Sequence, residues 1–116
     1  MRGAEPPLPI EGRVGYVALD AGRTNDWSAR AAVFPRTEGL NAILDVEIQC
    51  WAAENSPLRL DRQPFTDFIE DGTLIVCPGD EVDFQLIEDD LVELNNLCAI
   101  QTVAADKTFV PQLLQR

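Results

Sequence analysis

Apolar and polar residues alternate at every second position over several stretches of this chain, which is the spacing of β-strands. The clearest stretch runs from Leu40 to Trp51. Leu44, Val46, Ile48 and Cys50 fall on one side of it, and Asp45, Glu47, Gln49 and Trp51 on the other. This is the pattern of a half-buried strand with its aliphatic set inward. Arg13 to Leu19 alternates as well, but both of its sets are mostly apolar, which predicts a strand covered on both sides. Trp27 to Phe34 reads as another strand, ending at Pro35.

The second half of the chain is more broken. Leu58 to Gln63 is short and Arg-rich, with Leu58 and Leu60 inward. Pro64 to Gly72 reads as one helical turn, opening at a proline and closing at a glycine. Thr73 to Cys77 is an apolar run of strand length, Pro78-Gly79-Asp80 is a turn signal, and Val82, Phe84 and Leu86 alternate after it. Together, Thr73–Ile87 reads as a hairpin with Glu88-Asp89-Asp90 as its exit loop. Leu91 to Leu94 reads as a short strand or a turn, and Leu97 to Val103 as the last strand.

The pattern predicts about six to eight short strands with turn signals every ~8–12 residues, and no segment of roughly twelve residues that keeps a helical period. The expected fold is therefore all-β: a single antiparallel β-sandwich or barrel, jelly-roll-like, over residues 13–106. Residues 1–12, with Pro6, Pro7 and Pro9, are expected to form an extended arm, because proline fixes φ and removes a hydrogen-bond donor. Residues 107–116 form an apolar C-terminal tail around Phe109, Val110, Leu113 and Leu114. A length of 116 residues suits one domain with its own core.

Charge changes the picture. From Gln63 to Asp106 the chain carries eleven acids and no Lys or Arg; elsewhere nine acids are matched by nine bases, so the net charge of −11 belongs to one segment. Like charges repel, and a fold that gathers them needs a reason or a partner. Such a chain repels a phosphate backbone, so no direct nucleic-acid partner is expected. No apolar run is long enough to cross a membrane, and no signal peptide is visible, so no membrane partner is expected and the location is read as cytoplasmic or within a virion.

The chemistry on offer is limited. The absence of histidine removes the commonest general base and the usual transition-metal ligand. The seven glycines are scattered and form no phosphate loop. Cys50, Cys77 and Cys98 lack C-x-x-C spacing and sit in apolar stretches, as buried free thiols do. Neither a catalytic site, a cofactor nor a metal site is expected, and the chain reads as no enzyme. Asp80-Glu81-Asp83 and Glu88-Asp89-Asp90 are acidic enough for calcium, but lie at opposite ends of the proposed strand, some ~25 Å apart. Asp20, Asn25 and Asp26 mark another acidic loop without EF-hand order.

These features point to a non-enzymatic structural or assembly protein. It would form homo-oligomers through its arms and charge-segregated surfaces, as capsid, decoration or tail components of a virus or phage particle do. The partner would be another copy or another particle subunit. The interaction residues expected are Asp80, Glu81, Asp83, Glu88, Asp89 and Asp90, opposed by Arg59 and Arg62, with Trp51 as an exposed anchor. The alternative is a small acidic inhibitor, a nucleic-acid mimic that binds a basic protein. A calcium-dependent binding module is a third reading.

Overall fold

The computed structural model describes residues 9–20 and 27–105. Most of the expected arm (1–8), Asn25, Asp26, Asp106 and the tail 107–116 lie outside the described residues. The elements in chain order are β1 (Val14–Asp20), β2 (Trp27–Glu38), β3 (Asn41–Ala53), α1 (Phe65–Glu70), β4 (Leu74–Cys77), α2 (Phe84–Leu97) and β5 (Ala99–Ala105).

All five strands belong to one sheet, in the order β4-β3-β2-β1-β5. The first three form an antiparallel meander, while β4 joins β3 and β5 joins β1 in parallel. This corrects the expected antiparallel sandwich or barrel: the fold is a small α/β unit with a single mixed sheet and two helices. The turn from β2 to β3 is tight, with Glu38 opposite Asn41 and Gly39 at φ 66° in the first loop position, where a type II′ turn needs a glycine.

The expected hairpin fails at its second strand. Val82, Phe84 and Leu86 alternate only briefly. Over a longer window Ile87, Leu91, Leu94 and Cys98 recur at helical spacing, and Ile87, Leu94 and Cys98 are buried. The start of α2 is set by Asp83, whose carboxylate accepts from the backbone N–H of Gln85 at 2.9 Å. The short Arg-rich stretch at 58–63 is a loop, with Leu58 and Leu60 half-buried.

Two crossovers position everything else. The β3–β4 connection moves toward one edge of the sheet and the β4–β5 connection moves back across it to the other. Crossovers of one hand running in opposite directions take opposite faces. The apolar contacts agree. On one face α2 packs Ile87 and Leu94 against Val17, Leu19, Ala32, Phe34, Trp51 and Cys77. On the other, Leu60 and Phe65 cover Cys50, Ala52 and Leu74 at one end only. Gly15 lies in the first face because Phe34 fills the space beside it: a Cβ there would meet Phe34 Cε1 at 2.5 Å. Residues 9–12, expected in the arm, belong to the domain. Ile10 packs on the core, and the N–H of Gly12 donates to the carbonyl of Leu97 at 2.8 Å.

The strand faces are reversed from expectation. In β3 the aliphatic set Leu44, Val46 and Ile48 is exposed, while Asp45 and Trp51 of the polar set are buried under α2 and its neighbours. In β1 only Gly15, Val17 and Leu19 are buried; Val14, Tyr16, Ala18 and Asp20 are exposed. Among the described residues no helix is long and apolar enough to cross a membrane.

Candidate functional site

The C-terminal ends of β1, β3, β4 and β5 lie along one edge of the sheet. In open α/β sheets that edge, at the point where strand order reverses, is where ligands bind. Here the reversal is at β1, which is antiparallel to β2 on one side and parallel to β5 on the other. Its last residue is Asp20, exposed, paired with Ala29 of β2 and one step beyond the Leu19–Ala105 pair. The apolar alternation before Asp20 carries the carboxylate to the strand end instead of into the following loop. Among the described residues no hydrogen bond or ion pair engages its side chain.

A second acidic group stands farther along the same edge. Asn55 Nδ2 donates to Asp80 Oδ1 at 2.8 Å, and the N–H of Gly79 donates to Glu54 Oε1 at 3.4 Å. Two to three strand spacings across the sheet, about 10–14 Å, and four or more residues along it separate this group from Asp20. Among the described residues no three His, Cys, Asp or Glu side chains converge as a cation site.

The residues expected to form an interaction surface are dispersed. Asp80 is in the β4–α2 loop, Glu81 is exposed beside it, and Asp83 caps α2. Glu88, Asp89 and Asp90 lie within α2, where Gln85 Nε2 donates to Glu88 at 3.3 Å and to Asp89 at 2.8 Å. Asp90 faces inward and takes Arg30 in a fork: Nε to Oδ2 at 2.8 Å and Nη2 to Oδ1 at 2.7 Å. Trp51 is 1 % exposed and belongs to the core. Among the described residues its Nε1 and the neighbouring Ser28 Oγ, both buried, have no hydrogen-bond partner.

Of the two arginines expected to oppose acids on another copy, Arg62 is exposed and Arg59 is paired locally, and three further arginines are also used within the chain. Arg30, 2 % exposed, binds Asp90 and Glu47; burial opposes its charge, and the two carboxylates outweigh that, so its pKa is raised. Arg36 donates to Asp45 at 2.7 Å, and Arg13 pairs with the same carboxylate at 3.0 Å. Arg36 first, and Arg13 after it, hold the Asp45 carboxyl below the usual range against the cost of burial. Arg59 pairs with its neighbour Asp61. A shallow groove of about 270 Å³ between Ile10, Phe34 and Glu47 lies toward the opposite end of the sheet from Asp20, beside this ion-pair group. Cys50, Cys77 and Cys98 are free and buried, and burial pushes the Cys50 and Cys98 thiols up.

No family model matches the chain, and neither does any curated protein. By its fold, the unit resembles part of a bacteriophage protein. The solved structure is the large terminase of bacteriophage HK97, with a TM-score of 0.76 and 24 % sequence identity over 96 % of this chain. The chain spans 23 % of that terminase's length. This corrects the expectation of a virion structural component. The similar chain is a terminase, not a capsid, decoration or tail protein, and the all-β architecture on which that analogy rested is absent.

Proposed function

We propose that this chain is a folding unit of a large-terminase-type phage enzyme, and that its working edge is centred on Asp20. The observation that carries the reading is the position of Asp20. It is an exposed carboxylate at the end of the strand where the sheet switches from antiparallel to parallel, in a fold similar to a terminase over 96 % of the chain. The reaction class we assign is hydrolysis of a nucleic-acid phosphodiester, with Asp20 orienting the attacking water.

Missing histidine does not oppose this, because carboxylates serve as bases and water-orienting groups. Net charge does constrain it. At −11 the unit repels a phosphate backbone, a repulsion that salt and divalent cations screen, so the chain acts on nucleic acid where they are present and a basic partner would raise its affinity. A reducing cytoplasm suits the reading, supported by three buried free cysteines.

Nicking of supercoiled plasmid, with a divalent cation in the buffer, tests it. The chain is expected to nick and Asp20→Asn to lose roughly a hundredfold in rate, the low end of what a positioned acid–base group contributes. No nicking by the unmodified chain, or equal rates for both, overturns the proposal.

A further inference from the structure

The face of the sheet opposite α2 is apolar and half open. Val14 and Tyr16 of β1 and Leu44, Val46 and Ile48 of β3 are each 44–62 % exposed on it. Ala31 and Val33 of β2 lie between them, through the pairs Tyr16–Val33, Val33–Val46 and Ala31–Ile48. No charged residue of β1, β2 or β3 faces this side except Asp20 at its end. In a chain with 25 % charged residues that is a marked exclusion. The alternation in β3 has the form of a buried face, yet among the described residues Leu60, Phe65 and their neighbours cover only one end of it.

We propose that this face is a self-association surface, on which the sheet of a second copy of the chain packs. Three observations favour a second copy over another occupant. First, each copy carries −11, so two copies approach with least repulsion through a surface free of charge, and among the described residues β1, β2 and β3 provide such a surface here. Second, a flat face of three antiparallel strands bearing Val, Leu, Ile and Tyr is what sheet-on-sheet packing uses, at ~10 Å separation. Third, three to five strands at ~4.8 Å spacing and about seven residues of ~3.3 Å give a face on the order of 350–550 Å². That is below the ~800 Å² per partner of a tight complex and in the range of a weak, concentration-dependent dimer. The contact is two-fold and isologous. It uses neither the arms nor opposed charges, since Arg13, Arg30, Arg36 and Arg59 are paired within the chain. The inference is independent of the reaction assigned to Asp20.

Its salt dependence separates it from charge-driven assembly. Raising salt from ~0.1 M to ~1 M shortens the screening length from ~10 Å to ~3 Å. The repulsion between like-charged copies then falls while the apolar contact persists. Sedimentation equilibrium of the full chain tests this. The dimer dissociation constant is expected to fall about tenfold over that range, where a contact of opposite charges would weaken. Ile48→Asp and Val46→Asp should each weaken the dimer by roughly a hundredfold, because each buries an unpaired charge. Val92→Asp, on the exposed side of α2, should leave it unchanged; circular dichroism confirms that all three fold. A monomer at every concentration and salt overturns the proposal, as does a dimer indifferent to Ile48→Asp. A chain lacking residues 107–116 that dimerises when the full chain does not would assign the face to that segment, and would overturn it too.

Discussion

The two faces of the sheet are built from the same strands and differ in almost every respect. Under α2, small and large side chains interlock around Phe34, Trp51 and Ile87, and the acids of β3 are neutralised by arginines. On the opposite face, the aliphatic residues of β1 and β3 are solvent-exposed and nearly free of charged neighbours. The usual relation of polar residues outward and apolar residues inward is therefore inverted in β3. The difference shows that burial here was decided by the crossover. One fourteen-residue helix passing over the sheet makes a core of whichever face it covers.

Substitutions on the two faces should separate this account from a sheet buried equally on both sides. The largest effect is expected at Phe34, which is fully buried under α2: Phe34→Ala should cost about 3–5 kcal/mol in urea unfolding. Arg30→Met should come next, at about 3 kcal/mol, because it leaves Asp90 without its partner in a largely dry setting. Adding Asp90→Asn to Arg30→Met should recover part of that loss. Asp83→Ala removes the cap of α2 and should cost about 1 kcal/mol. Leu44→Ala on the open face should change monomer stability by no more than ~0.5 kcal/mol, measured at a concentration where association is negligible.

The acid side of the stability curve tests the ion pairs around Asp45. Arg36 and Arg13 hold the Asp45 carboxyl below its usual range. The stability it contributes should be fully present above the ordinary carboxylate pKa of about 3.9 and lost as pH falls through the lower folded value. An acid titration of Asp45→Asn should lack that component. An unchanged acid limb would mean that the pair forms equally in the unfolded chain.

Much of the architecture was legible in the sequence, but not the part that sets the fold class. The alternation in Arg13–Leu19, Trp27–Phe34 and Leu40–Trp51 marks β1, β2 and β3, and the apolar runs near Cys77 and Ile100 mark β4 and β5. The helix α2 was hidden because Val82, Phe84 and Leu86 imitate a strand for three steps before the helical spacing of Ile87, Leu91 and Leu94 takes over. Without that helix there is no crossover, and without a crossover no parallel pairing. The inward face of β3 was misjudged for a related reason. Alternation shows that a strand has two faces, whereas the choice of the inner one depends on which face the helix covers. Asp20 looked like a turn residue because Asp-Ala-Gly is a turn signal; its place at the strand end emerges only from the pairing of β1 with β2.

The contrast between the faces can be measured directly by solvent paramagnetic relaxation of side-chain methyl groups. In dilute, low-salt solution the methyls of Leu44, Val46 and Ile48 should relax strongly with added probe, while those of Ile87 and Leu94 should be protected. At high concentration and salt the first group should become protected as well. Protection of Ile48 equal to that of Ile87 in the dilute monomer would contradict the account.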